Sequence, residues 1–303
     1  MPIVSERPGP YEQRPPLPAL RRTRVPAVVL TVLAVTALAG CGGTAVGDGQ
    51  GRTKEALPQP GRSTVEGAAP SAAPSPSSSQ PLAGKTVVID PGHNPGNFDH
   101  PREIAEQVDI GTNSKDCDST GTASNDGYRE AEFTLDVSRR LRDLLEKQGA
   151  TVKLTQDDDR PYGPCIDERA RIGNEAEADA VLSVHADGSA SGNRGYHLIL
   201  PALVKEGGAD TSQIVGPSRE LGEHIAEEFG QATGTEPSNY VGGGTGLHVR
   251  DDLGGLNLST VPKVFIECGN MRDAKDLALL ESPEWRQKAA QGMANGITAF
   301  LAG

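Results

Sequence analysis

From Lys85 onward the sequence alternates short apolar runs with longer amphipathic stretches, and this alternation restricts the fold more than any other feature. Runs of strand length occupy residues 85–90, 151–155, 179–185, 195–200 and 261–268. Stretches with helical periodicity occupy residues 130–148, 167–176, 218–229 and 273–301, the last interrupted at Pro283. Because strands separated by helices form mostly parallel sheets, we predict one α/β domain over residues 85–303, with helices on both faces of a mostly parallel, twisted sheet.

The first 40 residues predict an export signal rather than a part of this domain. Three arginines at positions 21, 22 and 24 precede an uncharged run over residues 25–40. As a helix this run would span about 24 Å, which is less than the roughly 30 Å thickness of a bilayer's hydrocarbon core. A basic start followed by a short apolar run is typical of a secretory signal peptide.

The end of this run, Leu38-Ala39-Gly40-Cys41, resembles the bacterial lipobox, in which the cysteine is acylated and becomes the mature N-terminus. The resemblance implies that residues 1–40 are a lipoprotein signal peptide and that Cys41 is lipidated. Residues 41–84 are rich in Gly, Ser, Pro and Ala, and they bury too little apolar surface to offset the entropy of ordering. We therefore expect a disordered tether that holds an exported domain at the outer face of the bacterial cell membrane, facing the cell wall.

The charge balance disfavours nucleic acid as a partner. The chain has 29 Lys and Arg against 41 Asp and Glu, a net charge of −12, and only 4% aromatic residues. Binding to a phosphate backbone needs a basic surface, and binding to single strands needs aromatic stacking groups. We expect no nucleic-acid partner, and one tethered domain of this size is expected to be a monomer.

Chemically active side chains follow or end three predicted strands and begin one helix. His93 follows the first strand, His185 ends a later one, Glu267 lies at the end of the last one, and Glu130 opens the first long helix. Two imidazoles and one carboxylate form a common zinc shell with an open fourth position, and a further carboxylate could accept a proton from water. A carboxylate inside an apolar strand, such as Glu267, is costly unless it is paired or linked to a metal. Each of these residues alone is a weak signal, but their combination at one edge of the sheet suggests a metal hydrolase.

Five motifs in order resemble the zinc-dependent N-acetylmuramoyl-L-alanine amidase family of cell-wall enzymes. They are Val87-Val-Ile-Asp-Pro-Gly-His93, Glu130-Ala-Glu-Phe-Thr-Leu-Asp136, Arg169-Ala-Arg-Ile-Gly-Asn174, Ser183-Val-His-Ala-Asp187 and Phe265-Ile-Glu-Cys-Gly-Asn270. The resemblance covers residues 85–302, which is essentially the whole predicted domain.

This resemblance implies one Zn²⁺ per chain, with His93, Glu130 and His185 as ligands and Glu267 as the catalytic general base. Glu132 competes with Glu130, but it lies roughly 200° further around the helix, and the family spacing favours Glu130. The implied substrate is peptidoglycan, cut at the amide between the lactyl group of N-acetylmuramic acid and the L-alanine of the stem peptide. Two alternatives stay open: an endopeptidase that cuts within the stem peptide, and a non-catalytic wall-binding lipoprotein.

Residues 94–126 form a long connection without clear periodicity, which predicts either a wall of the substrate site or a surface insertion. Cys117 and Cys165 both lie in polar segments, and in an oxidising compartment they make the best disulfide. Cys268, within the last strand, is expected to be a packed free thiol.

Three further residues are candidates for substrate contact: His248, Arg250 and Asn270. His197 is predicted to be an ordinary strand residue and His224 a residue of a helix surface.

Overall fold

The computed structural model describes residues 80–303, so the signal peptide, Cys41 and nearly all of the tether lie outside the described residues. The strands are β1 (Thr86–Pro91), β2 (Gln107–Asp109), β3 (Ser114–Asp116), β4 (Thr151–Leu154), β5 (Ala180–Asp187), β6 (His197–Pro201), β7 (Lys205–Glu206), β8 (Ala209–Asp210), β9 (Leu247–Arg250) and β10 (Lys263–Asn270). The helices are α1 (Glu130–Lys147), α2 (Ile166–Glu175), α3 (Val215–Thr233), α4 (Gly254–Asn257), α5 (Ala274–Leu280) and α6 (Pro283–Ala302). Within this part of the chain, none of the helices is both long and apolar enough to cross a bilayer.

Six strands form the central sheet in the order β4-β1-β5-β10-β6-β9. All neighbouring pairs are parallel except β10 and β6. The prediction of a mostly parallel α/β sheet is confirmed. Strand β9 was not predicted, because it is short and carries a histidine and an arginine in place of an apolar pattern.

The two faces of the sheet are covered to different extents. On one face, alternate residues of the inner strands, such as Leu182, Val264 and Leu198, join the core that also contains residues of α1, α3 and α6. On the other face, Ile172 of α2 packs against Val88 and Val181, and α4 lies close to Lys263 and Phe265. These two short helices do not extend over the carboxyl ends of the strands. The carboxyl ends therefore stay accessible on that face.

The connection over residues 94–126 is folded and pinned to this second face. It contains the β2–β3 hairpin, and Ile104 and Ile110 are buried beneath it. A disulfide joins Cys117 to Cys165 at the start of α2, as predicted. Cys268 is a buried free thiol. The connection is therefore an ordered wall beside the sheet.

A buried ion cluster lies under the carboxyl end of β1. Asp90 accepts hydrogen bonds from Arg169 at 2.8 Å, Lys263 at 3.3 Å, Ser183 at 2.6 Å and Thr155 at 2.7 Å. Burial by itself raises the pKa of Asp90, but the charges of Lys263 and Arg169 outweigh that effect and hold the pKa far below its ordinary value. One carboxylate thus joins β1 to β5, β10, α2 and the residue that follows β4.

This cluster predicts a loss of stability in acid. Because the pKa of Asp90 is near 3.9 in the unfolded chain and much lower in the folded one, the unfolded state binds the proton first as the pH falls. The contribution of Asp90 is complete above about pH 4 and declines below it. At neutral pH, Asp90→Asn leaves two buried cations without their anion, and we expect it to lower the free energy of unfolding by about 3–5 kcal/mol, measured by urea denaturation.

Asp99→Asn is the control, because that carboxylate is exposed. An Asp90→Asn protein as stable as the Asp99→Asn protein would contradict the role given to the cluster.

Candidate active site

Three predicted ligand residues converge at the carboxyl end of the sheet. His93 follows β1, Glu130 is the first residue of α1, and His185 lies near the end of β5. One ligand atom from each lies within 4.8 Å of the other two. His93 Nε2 lies 3.3 Å from Glu130 Oε2, and His185 Nδ1 lies 2.9 Å from Glu130 Oε1. The three groups surround one small space.

The backbone at His93 has an uncommon conformation. Its φ is 63°, in the left-handed region that a non-glycine residue rarely adopts. The carbonyl oxygen of His93 accepts hydrogen bonds from Arg169 Nη2 at 3.0 Å and from Gln156 Nε2 at 3.2 Å. Such a conformation costs about 1–3 kcal/mol and persists only where its surroundings enforce it. Here the ion cluster beneath the turn enforces it.

Two glycines leave room for the histidine rings. A Cβ at Gly92 would lie 2.4 Å from His185 Cε1. A Cβ at Gly121, whose φ is 72°, would lie 2.7 Å from His93 Cδ2 and 2.8 Å from Glu130 Oε2. A side chain at Gly92 would displace the ring of His185, and one at Gly121 would displace His93 and Glu130.

Asp118 and Ser119, both in the 94–126 connection, orient the ring of His93. His93 Nδ1 lies 3.1 Å from the Ser119 carbonyl oxygen and 3.3 Å from Asp118 Oδ1. Burial raises the pKa of Asp118, but Arg169 and His93 lower it to about 2, so this group is a carboxylate at neutral pH. When the proton is on Nδ1, the lone pair of Nε2 is directed toward Glu130. This Nδ1-protonated tautomer is the one that lets Nε2 bind a metal.

The carboxyl group of Glu130 is held as an anion. Burial by itself raises its pKa, but the neighbouring His93 and His185 lower it well below the ordinary value. The backbone amides of Thr122 and Ala186 also donate hydrogen bonds to it, at 2.8 and 3.2 Å. Two imidazole nitrogens and one carboxylate, all reaching one space, fit a zinc ion with an open coordination position. Glu132, the alternative, is exposed to solvent.

Glu267 lies beside this cluster on the neighbouring strand, paired in register with His185. Its Oε2 atom is buried and has no hydrogen-bond partner among the described residues. Burial raises the pKa of Glu267, and the negative charges of Glu130 and Asp187 raise it further. A carboxyl group in this state is suited to accept and release a proton.

Two cavities meet at the histidines. One, of about 550 Å³, lies between the β2–β3 hairpin and α4. The other, of about 450 Å³, lies beside Glu267 and Arg250. His93, His185 and Phe265 line both cavities, so an extended molecule can occupy both sides of the site.

The three candidate substrate contacts have different surroundings. Arg250 lines the second cavity and is held by Asp252 through two hydrogen bonds of 2.8 Å. His248 is half-buried, with its ring centroid 6.1 Å from that of His197. The expectation for Asn270 needs correction, because its side chain is fully buried and its amide donates to the carbonyls of Ala190 and Asn193. Asn270 organises the loop after β5 and does not line either cavity.

Sequence reasoning missed the orienting role of Asp118. The segment around it has no periodicity, and its one distinguishing signal is the adjacent Cys117. The disulfide at Cys117 fixes this stretch against α2, which brings the neighbouring carboxylate to His93.

The same residues fall within a known family pattern. Residues 87–299, more than half of the chain, match the family model described as N-acetylmuramoyl-L-alanine amidase. The chain belongs to this amidase family. The resemblance seen in the five motifs is thereby confirmed.

Relatives support the assignment in both sequence and structure. The N-acetylmuramoyl-L-alanine amidase Rv3717 of Mycobacterium tuberculosis is 39% identical over 222 residues, which are 73% of this chain and 88% of that protein. The crystal structure of Ami1 from Mycobacterium smegmatis is 38% identical with a TM-score of 0.67, over 73% of this chain and 98% of that one. Ami1 from Mycobacterium abscessus is 40% identical with a TM-score of 0.66, over 73% and 100%.

The contact between Asp118 and His93 predicts an effect on metal affinity. Asp118→Asn keeps the size of the side chain but removes the charge that favours the Nδ1-protonated tautomer of His93. For this amidase we expect zinc affinity to fall by about 10- to 100-fold, measured by competition with a chromophoric chelator. Asp116→Asn, in an exposed position of the same connection, should bind zinc as the wild type does. Equal affinities in the two variants would argue against the orienting role of Asp118.

Proposed function

We propose that this chain is a zinc-dependent peptidoglycan amidase that hydrolyses the bond between the lactyl group of N-acetylmuramic acid and the L-alanine of the stem peptide. The observation that carries the proposal is the convergence of His93, Glu130 and His185 beside Glu267, whose buried Oε2 atom has no hydrogen-bond partner among the described residues. Membership of the amidase family supports the same substrate class.

The residues that would hold the metal are His93, Glu130 and His185. A zinc ion bound by such a set supplies Lewis acidity, which polarises a carbonyl group and acidifies water. Asp118 and Ser119 keep the Nε2 lone pair of His93 available, and the amides that bind Glu130 keep its carboxylate in place.

Glu267 is the proposed proton carrier. It lies on the strand next to His185, in a buried setting that raises its pKa. A carboxylate there takes the proton from the attacking water and delivers it to the nitrogen of the departing L-alanine as the amide bond breaks. Without that second transfer the leaving group would be an amide anion, which is a poor leaving group.

The two cavities support a substrate with two arms. The scissile amide of peptidoglycan joins a glycan strand to a peptide, so one arm extends to each side of the reacting carbonyl. Cavities that meet at His93 and His185 provide space on both sides of that point.

The test of this function is the pattern of products released from purified peptidoglycan. We expect the full chain to release stem peptides with a free L-alanine amine and to leave muramic acid with a free lactyl carboxylate, as resolved by mass spectrometry. Glu267→Gln should lower kcat by at least about 100-fold, because it removes the proton carrier. Glu220→Gln, on the exposed surface of α3, is the control, and zinc chelation should abolish activity.

Other outcomes would point to the alternatives. Cleavage between residues of the stem peptide would indicate an endopeptidase. Binding to cell walls with no released peptide, at full zinc occupancy, would indicate a non-catalytic wall-binding lipoprotein.

We further propose that the enzyme is an exported, monomeric lipoprotein, anchored to the outer face of the membrane through Cys41. The lipobox and the Gly/Ser/Pro/Ala-rich segment after it support this proposal. Cys41→Ser should abolish incorporation of a radiolabelled fatty acid and move the protein from the membrane fraction to the soluble exported fraction. Retention of the label by the Cys41→Ser protein would refute the lipidation site.

A further inference from the structure

His197 lies directly across from Glu267 in the central sheet. The antiparallel register of β6 and β10 pairs these two residues, and the parallel register of β10 and β5 pairs Glu267 with His185. Residues paired in register project from the same face of a sheet, with Cβ atoms roughly 4.5–5.5 Å apart in an antiparallel pair. His185, Glu267 and His197 therefore form one row across the open face.

Both members of the Glu267–His197 pair have a buried polar atom without a partner. Glu267 Oε2 and His197 Nδ1 have no hydrogen-bond partner among the described residues, and His197 is only 3% exposed. Leaving such an atom unpaired is unfavourable, because the hydrogen bond that it made to water in the unfolded chain is not replaced. The two groups are not hydrogen-bonded to each other in this structure, but an imidazole can donate a hydrogen bond and a carboxylate accepts one, so the two orphaned groups are complementary.

The surroundings of His197 keep its ring neutral and confined. Burial lowers the pKa of His197 to about 4, with Asp187 opposing and His248 and Arg250 adding to the effect. The Tyr240 ring meets the imidazole edge-on at 5.8 Å between centroids, and the Tyr240 hydroxyl is committed to Asp187 at 2.6 Å. A neutral imidazole has one N–H to donate, and Tyr240 and Asp187 satisfy each other rather than His197.

We propose that His197 is a positioning residue, whose N–H donates a hydrogen bond to the Glu267 carboxylate and fixes the orientation of that carboxylate during turnover. The inference rests on the proposed function, because it assigns a partner to the same glutamate. His197 acts through Glu267 and need not touch the substrate.

This role is tested in the full chain with two kinds of substitution at His197: one that removes the hydrogen-bond donor, and one that replaces the ring but keeps a donor. His197→Leu removes the donor, whereas His197→Asn and His197→Gln place an amide N–H near the Nδ1 and Nε2 positions, respectively. We expect the Leu variant to lower kcat by about 10- to 100-fold with KM unchanged, and one of the two amide variants to recover most of that loss. Zinc content and thermal unfolding are measured on every variant, and His224→Leu, on an exposed helix surface, is the matched control.

A double-mutant comparison adds a readout that a merely structural role would not give. If His197 acts through Glu267, then adding His197→Leu to Glu267→Gln should lower kcat no further, because the carboxylate that His197 positions is already gone. An additive loss would overturn the inference. If the Leu variant does not fold, His197→Phe replaces it as the variant without a donor.

The remaining outcomes are decisive for one proposal or the other. Wild-type kcat in a folded Leu variant, a loss that neither amide recovers, or loss of zinc from the Leu variant would each refute the role of His197. Wild-type protein that releases no stem peptide with a free L-alanine amine would refute the proposed function instead, so the two failures are distinguishable.

Discussion

The site depends on the hydrogen bonds that the guanidinium group of Arg169 donates. Its five N–H groups bind two carboxylates and three carbonyl oxygens, and every donor has a partner. The acceptors are Asp90, Asp118 and the carbonyls of Pro91, Pro164 and His93. A lysine has three donors and no planar fork, so it could not hold this set. Through Arg169, α2 holds three features in place: the end of β1, the strained turn at His93, and the Asp118 carboxylate that orients the His93 ring.

The two faces of the sheet are covered unequally, and the less covered face holds the candidate site. One face carries three long helices and contributes the main core. On the other face, the helices leave the carboxyl ends of the strands uncovered. The polar residues of β5, β6 and β10 lie in this uncovered part. The pinned connection over residues 94–126 then closes one side and supplies Asp118. Stability and chemistry are thus separated between the two faces of the same strands.

The row from His185 through Glu267 to His197 shows how much sheet register contributes to the chemistry. Each residue comes from a different strand, and only the hydrogen-bonded ladder places them side by side. A shift of one residue in β10 would send Glu267 into the core and bring an apolar neighbour to the candidate metal site. Precision at the reaction centre therefore derives from backbone pairing deep in the fold.

The sequence by itself determined the α/β class, the order of the main strands and helices, and the four residues that converge, because periodicity and local motifs are properties of short segments. It also predicted the disulfide between Cys117 and Cys165, since both lie in polar segments whereas Cys268 lies within a strand. Only the tertiary structure decided the role of Asp118, the burial of Asn270 and the position of His197 opposite Glu267. Those depend on contacts between segments tens of residues apart, whose register and approach no local pattern encodes.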